Sequence, residues 1–120
     1  MVKILIVDDD AVLRNMYTQK LKGAGYEVVG AQDGEEAYEI FQKEKFDLVI
    51  TDIMLPRVSG TEFLEKLRES KKDRNTSVIA WSNLQDEEEK EKALNLGAKE
   101  FLHKGSLTLD QVLDIVKKYT

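Results

Sequence analysis

Five short apolar segments alternate with helix-like segments along the chain, and this alternation limits the folds open to it. Each apolar segment is a nearly continuous run rich in branched residues, which is typical of strands buried on both faces. The segments between them place apolar residues three and four positions apart, as amphipathic helices do. Such an alternation builds a parallel sheet with helices on both sides. The predicted strands are ILIV at 4–7, YEVVG at 26–30, FDLVIT at 46–51, SVIAW at 77–81 and EFLH at 100–103.

The helix-like segments begin at residues that commonly cap helices. Asp10 precedes the first segment, and Thr108 precedes the last with Gln111 three positions on. Asp33 and Asp86 each stand three residues before a glutamate, which is the spacing of a capping box. No linker, repeat or low-complexity tail is left over. We therefore predict one α/β domain over residues 1–120, with five strands and five helices.

Composition narrows the function. The chain has 120 residues, a net charge of −5 and no cysteine. An acidic surface disfavours nucleic acid and anionic membranes, because both attract basic faces. The lack of cysteine excludes disulfides, thiol chemistry and zinc sites built from cysteine. No apolar run reaches the roughly 18 residues of a membrane span, and the start does not read as a secretory signal. We expect a cytoplasmic domain that contacts neither nucleic acid nor membrane directly.

Acidic and polar residues come directly after four of the predicted strands. Ligands of open parallel sheets bind beyond the carboxyl ends of the strands, so these residues are the first candidates for a site. Each of them alone has an ordinary explanation as a helix cap or as surface; their coincidence at one edge indicates a site. In chain order they are Asp8, Asp9, Asp10, Asp52, Ser82 and Lys104.

Charge explains why aspartates would gather at this edge. Carboxylates about 4 Å apart repel by roughly 4 kcal/mol at the effective dielectric near a protein surface. Asp10 is expected only to cap the first helix, which leaves three negative charges on Asp8, Asp9 and Asp52. One Mg²⁺ and the Lys104 ammonium would supply three positive charges. Oxygen ligands with an incomplete protein shell suit Mg²⁺, which keeps waters and accepts phosphate.

These residues make the chain resemble the response-regulator receiver domain, a family of two-component signalling proteins. The resemblance covers essentially the whole chain and is closest to single-domain, chemotaxis-regulator-like members. It implies a flavodoxin-like, doubly wound sheet in strand order 2-1-3-4-5. It rests on the acidic pair Asp8–Asp9, on Asp52 in TDIMLPRVSG, on Ser82, on Lys104 in GAKEFLHK, and on Phe101 three residues before the lysine.

The resemblance also implies a function. Receiver domains accept a phosphoryl group from the phosphohistidine of a histidine kinase or phosphotransfer protein in a Mg²⁺-dependent reaction. By resemblance, Asp52 is the acceptor, and Asp9 and Asp52 bind Mg²⁺ directly. Asp8 acts largely through water, and the backbone carbonyl of Met54 completes the protein ligands. The domain is then not an enzyme for separate substrates, since it catalyses only its own phosphorylation and slow dephosphorylation.

The resemblance makes Lys104 and Ser82 catalytic residues beside Asp52, and it makes Ser82 and Phe101 the switch. Lys104 holds phosphoryl oxygens, and Ser82 is drawn toward the new phosphoryl group. In the family this movement lets the aromatic residue, here Phe101, swing inward, so that the surface around the fourth and fifth helices changes. The output partner is unknown. We expect a monomer or a phosphorylation-linked dimer that acts on another protein.

The sequence departs from the family pattern at two positions. The family usually has proline after the lysine, joined by a cis bond, and here Gly105 leaves the isomer open. A small residue usually follows the hydroxyl residue, and here Asn83 narrows access to Asp52 or holds water. Met54 and Leu84 stand where the family flanks the path of the hydrolytic water, and their apolar side chains predict slow dephosphorylation. His103 is interpreted as an edge histidine and not as a phosphohistidine.

Two other interpretations stay open from the sequence. VDDDAV fits the Asp-x-Asp-x-Val motif of haloacid-dehalogenase-type phosphatases, with Asp8 as nucleophile, Asp10 as general acid, and Ser82 and Lys104 as phosphate binders. The chain is short for such an enzyme, no acidic pair follows Lys104, and Asp52 would have no role. The second interpretation is a pseudo-receiver, an interaction module with this fold that takes no phosphate.

Overall fold

The computed structural model describes residues 1–70, 76–83 and 87–120, and its centre is a five-stranded sheet. The strand order is β2-β1-β3-β4-β5, and every neighbouring pair is parallel. This confirms the predicted flavodoxin-like topology. In chain order the elements are β1 (Lys3–Val7), α1 (Ala11–Gly23), β2 (Glu27–Ala31), α2 (Gly34–Lys43), β3 (Leu48–Asp52), α3 (Gly60–Glu69), β4 (Ser77–Ser82), α4 (Glu87–Asn95), β5 (Glu100–His103), a short 3-10 helix (Lys104–Ser106) and α5 (Leu109–Lys118).

Apolar side chains cover both faces of the sheet, which explains why the strands are nearly continuous apolar runs. On one face, Phe41, Leu64 and Ala93 bring α2, α3 and α4 against the strands. On the other face, Leu21 and Val116 do the same for α1 and α5. Within the described ranges, no helix has both the length and the apolar character needed to cross a bilayer.

Three of the predicted helix caps are present. The Asp10 carboxylate accepts hydrogen bonds from two backbone N–H groups in the first turn of α1, at 2.9 and 3.1 Å. Asp33 accepts from the backbone N–H of Glu36 at 2.8 Å. Thr108 and Gln111 bond reciprocally at 3.1 and 2.9 Å and form a complete capping box. Each cap satisfies donors that have no partner inside the helix.

Several strand boundaries differ from the predictions by one or two residues, most at the start of the third strand, and one predicted cap cannot be compared. The third strand begins at Leu48, two residues after the start of the apolar run. Phe46 is the first residue of that run but precedes the strand. Its ring packs against Phe41, with 6.4 Å between ring centroids, so this apolar residue belongs to the core and not to the sheet. The predicted cap at Asp86 lies outside the described residues.

Helix α3 starts directly against the end of β3. The Gly60 N–H donates to the Ile53 carbonyl at 3.1 Å. A β-carbon at Gly60 would lie 2.0 Å from the Asp52 carbonyl oxygen and 2.7 Å from the Ile53 α-carbon. Only glycine permits this approach, so the start of α3 fixes the backbone that presents Asp52.

Candidate functional site

The strand-end residues meet in one open pocket at the carboxyl edge of the sheet. The pocket has a volume of about 250 Å³. It joins the ends of β1, β3 and β4 with the 3-10 helix that follows β5, as the topology requires. The six residues singled out from the sequence all line it. The full lining is Asp8, Asp9, Asp10, Leu13, Asp52, Met54, Ser82, Asn83 and Lys104.

Lys104 joins the two buried carboxylates. Its Nζ lies 2.9 Å from Asp52 Oδ2 and makes a second, closer ion pair with Asp8 Oδ2. All three residues are buried, and Asp8 has no exposed surface at all. Breaking a buried ion pair by removing one partner is strongly destabilising, because the other charge then lacks compensation. Lys104 therefore holds both carboxylates in place and also lines the pocket.

Backbone donors hold the other oxygen of each buried carboxylate. Asp8 Oδ1 accepts from the Asp10 N–H at 2.9 Å, and Asp52 Oδ1 accepts from the Met54 N–H at 3.0 Å. Each carboxylate thus has one oxygen on the backbone and the other on Lys104. Preorganised groups of this kind need little rearrangement when a ligand with fixed geometry arrives.

The cluster keeps an excess of negative charge. Asp8, Asp9 and Asp52 each offer a carboxylate oxygen, and these atoms lie within 4.8 Å of one another. Lys104 supplies one positive charge against three negative ones, so the ionised cluster has a net charge of −2. Asp9 is exposed, which leaves its carboxylate accessible from solvent. Closely spaced carboxylate oxygens with two uncompensated charges fit a divalent, oxygen-preferring cation such as Mg²⁺.

Burial shifts the proton equilibria of the ion pair. Burial raises the pKa of the Asp52 carboxyl above its usual value, against the opposing effects of the Lys104 ammonium and the Met54 N–H. Burial alone would lower the pKa of Lys104, but hydrogen bonds and charge from Asp8 and Asp52 outweigh it and raise that pKa. Lys104 is therefore firmly protonated. Any further positive charge near Asp52 would stabilise its ionised form.

Mg²⁺ is expected to stabilise the folded protein. A cation that binds only the folded state at ten times its dissociation constant adds about 1.4 kcal/mol to the free energy of unfolding. For a domain of this size, that corresponds to a rise of roughly 5 °C in the unfolding midpoint. Thermal melts with and without Mg²⁺, at equal ionic strength set with NaCl, measure the effect. Coincident melts would show that the carboxylates do not form a metal site, and Asp9→Asn should reduce the rise.

The other predicted site residues, which are the two switch residues and Met54, lie at different depths. Ser82 ends β4, is buried and lines the pocket. Met54 also lines the pocket, with 54% of its surface exposed. Phe101 lies on β5 outside the pocket, half-buried against the core that α3 and α4 cover. Ser82 is thus near the candidate acceptor, whereas Phe101 lies on the neighbouring strand.

The two departures from the family pattern lie side by side. No peptide bond between described residues is cis, so the Lys104–Gly105 bond is trans. Exposed His103 bridges the two loops here: Nε2 lies 3.1 Å from the Asn83 carbonyl oxygen and Nδ1 lies 2.8 Å from Ser106 Oγ. Because a carbonyl only accepts, Nε2 donates to it, and in the neutral ring Nδ1 then accepts from the Ser106 hydroxyl. His103 is therefore an edge histidine, and both of its ring nitrogens make hydrogen bonds to loop residues.

Sequence reasoning missed one support of the site. Arg14 on α1 donates from Nη1 to the Asp8 carbonyl at 2.6 Å. Its aliphatic stem lies over Gly30, where an added β-carbon would come within 3.1 Å of it. Arg14 is one of several polar residues on α1, and nothing in its spacing distinguishes it. Only the packing of α1 over β1 and β2 brings its guanidinium to the Asp8 carbonyl at the end of β1.

The fold and the pocket together define a chemotaxis-regulator-like signalling domain. The response regulator receiver domain family matches residues 4–117, and the chain belongs to this family. It is a receiver domain of two-component signalling. Receiver domains are generally signalling modules and not conventional enzymes, and they typically bind Mg²⁺ at an acidic pocket.

Solved structures and curated relatives agree with this assignment. The chemotaxis protein CheY4 of Vibrio cholerae is 32% identical, with a TM-score of 0.92 over 100% of this chain and 99% of that one. The alkaline phosphatase synthesis transcriptional regulatory protein PhoP of Bacillus subtilis is 38% identical over 85% of this chain and 42% of its own length. The gliding motility regulatory protein of Myxococcus xanthus is 32% identical over 98% of this chain and 15% of its own length. The chain thus spans less than half of these curated relatives.

The geometry counts against the phosphatase interpretation. That interpretation needs Asp10 as a general acid, but the Asp10 carboxylate is engaged in capping α1. It also leaves Asp52 without a role, although Asp52 is buried against Lys104 in the same pocket. The site geometry therefore agrees with membership of the receiver-domain family.

Proposed function

We propose that Asp52 accepts a phosphoryl group from the phosphohistidine of a histidine kinase or phosphotransfer protein. The observation that carries the proposal is the buried contact between Asp52 and Lys104, in a cluster that keeps two uncompensated negative charges. A carboxylate held by an ammonium and a backbone N–H is positioned as a nucleophile. The surrounding groups are those that phosphoryl transfer needs, since that reaction depends on positioning and electrostatic stabilisation.

The transfer exchanges one bond to phosphorus for another. A bond forms between phosphorus and an Asp52 carboxylate oxygen, while the bond to the donor histidine nitrogen breaks and its electron pair stays with the nitrogen. Lys104 remains protonated throughout and holds a phosphoryl oxygen. The product is an acyl phosphate, which carries roughly two negative charges where the carboxylate carried one.

The donor set supports Mg²⁺ as the cofactor. Asp9 and Asp52 would bind the ion directly, the Met54 carbonyl would complete the protein ligands, and Asp8 would act largely through water. When bound, the ion supplies positive charge that offsets the charge on the phosphoryl oxygens. The protein's own contribution is to hold three carboxylates close together against their repulsion.

Phosphorylation would then act as a switch. The added charge draws the Ser82 hydroxyl toward the phosphoryl group, where it can donate a hydrogen bond. Phe101 follows inward from its half-buried position, and the surface around α4 and α5 changes. We propose that this surface acts on another protein or on a second copy of the chain, in the cytoplasm and without direct contact to nucleic acid or membrane.

Intact-mass measurement with acetyl phosphate tests the proposal. We expect a gain of one phosphoryl group in Mg²⁺ and little or none in EDTA, because the uncompensated charge repels the donor. A gain undiminished by EDTA would contradict the role of the metal. No gain under any condition would favour the pseudo-receiver, and continuous turnover of phosphate esters would favour a phosphatase.

The acyl phosphate is expected to be long-lived. Met54 lines the pocket mouth with an apolar side chain that cannot orient a water; Leu84, the second flanking residue, lies outside the described residues. Groups that activate or position water typically contribute about 10²–10⁴-fold. The double variant Met54→Asn, Leu84→Glu should therefore lose its phosphoryl group faster than the wild type, by a factor approaching the roughly 100-fold lower end of that range.

Loss of the phosphoryl group after removal of the donor measures this lifetime. The matched control is Met54→Leu, which keeps an apolar side chain and should retain the slow rate. If the wild type loses phosphate as fast as the polar double variant, the flanking residues do not set the lifetime.

A further inference from the structure

Trp81 lies directly beneath the pocket but is not among its lining residues. It is the penultimate residue of β4 and stands in register with Asp52 on β3 and Leu102 on β5. Its side chain belongs to the core that α1 and α5 cover, with 1% of its surface exposed. Trp81 therefore connects the strand that presents Asp52 with the interior under α1.

The Trp81 ring contacts both an aromatic ring and the site ammonium. The Tyr17 ring of α1 packs on it with 4.8 Å between centroids and an interplanar angle of 44°. Lys104 Nζ lies 5.9 Å from the Trp81 centroid, within the about 6 Å over which a ring face attracts a cation. All three side chains are buried, and such contacts are stronger where water is excluded.

Packing alone does not explain a tryptophan at this position. Its Nε1 is buried and has no hydrogen-bond acceptor among residues 1–70, 76–83 and 87–120. Burying an unpaired N–H costs free energy that a phenylalanine or leucine would avoid. What tryptophan offers in exchange is the most strongly attractive ring face for a cation.

Lys104 needs support that does not depend on Asp52. Its ammonium ends a flexible four-carbon stem that leaves the 3-10 helix after β5. Asp52, one of its two carboxylate partners, is converted to an acyl phosphate in the proposed reaction. The neutral Trp81 ring is unchanged by that reaction and keeps its place beside the ammonium.

We propose that Trp81 is a positioning residue for phosphoryl transfer: its ring, braced by Tyr17, holds the Lys104 ammonium where it meets the phosphoryl group. This inference rests on the proposed function of Asp52. It gives the buried Tyr17–Trp81 pair a role in the reaction rate beyond its contribution to stability.

Two substitutions at Trp81 distinguish the effect of the aromatic ring face from the effect of side-chain size. Trp81→Leu removes the ring face and should slow phosphorylation by acetyl phosphate roughly tenfold. Trp81→Phe keeps an aromatic face and should stay within roughly threefold of the wild type. The matched control is Ile79→Ala, a buried position two residues earlier on the same face of β4. It should lower stability but leave the rate unchanged at a temperature where all the variants are folded.

A double-mutant cycle with Lys104→Ala tests whether Trp81 acts through the lysine. In the Lys104→Ala background, Trp81→Leu should slow the reaction little further, because the ammonium it supports is gone. Equal slowing in both backgrounds would show a merely structural role and overturn the inference, as would equal rates for the wild type and Trp81→Leu. If the wild type itself takes no phosphoryl group, the proposed function fails and this inference fails with it.

Discussion

The Asp52→Asn variant is expected to gain no phosphoryl group under conditions in which the wild type gains one. An amide in place of the carboxylate lacks the nucleophilic oxygen. Asp8 shares the lysine and backbone contacts of Asp52 but has no exposed surface, and Asp9 is exposed without the lysine contact. The loss should therefore be complete within the sensitivity of intact-mass measurement.

Asp10→Asn is the matched control for this prediction. It removes one negative charge at the same edge of the sheet, but asparagine caps helices as well as aspartate does. Phosphorylation should persist in this variant. Persistence in Asp52→Asn, or loss in Asp10→Asn, would contradict the assignment, and the second result would revive the phosphatase interpretation, in which Asp10 is the general acid.

Gly60→Ala is expected to produce a large loss of stability. The added β-carbon would lie 2.0 Å from the Asp52 carbonyl oxygen, far inside any allowed contact, and backbone cannot yield as a flexible side chain can. Overpacking of this kind costs about 3 kcal/mol or more when backbone must shift. Urea unfolding followed by circular dichroism measures the free energy of unfolding.

Gly23→Ala provides the comparison. Gly23 ends α1, and a β-carbon there would meet no atom within 4 Å. This variant should be neutral or slightly more stable, because alanine favours helix over glycine by up to about 1 kcal/mol. Equal stability of the two alanine variants would show that α3 does not depend on its close approach to the backbone of Asp52.

The fold was predictable because the signals that specify it are local and repeated. Alternation of apolar runs with helical spacing predicts the βα order, and Asp10 and Thr108 mark helix starts by residue type alone. The same order brings Asp8, Asp52 and Lys104 to one edge, since parallel strands share a carboxyl end. The family match and the strand order confirm these predictions.

Contacts set by side-chain packing were not predictable from spacing. The sequence assigned Asp8 only to the metal, but the structure also pairs it with Lys104, because one ammonium reaches both carboxylates. Trp81 is noticeable in the sequence only as the single tryptophan beside Ser82, and its contact with the ammonium depends on how α1 packs. The roles of Ser82 and Phe101 after phosphorylation stay predictions, because they concern a change of state.

Chemical trapping of the acyl phosphate tests the central claim most directly. Borohydride reduces an aspartyl phosphate to homoserine, and tandem mass spectrometry of the digested protein then locates the converted residue. After treatment with acetyl phosphate and Mg²⁺, we expect homoserine at position 52 and unaltered aspartate at Asp8, Asp9 and Asp10. Homoserine in place of Asp8, with Asp52 intact, would contradict the account.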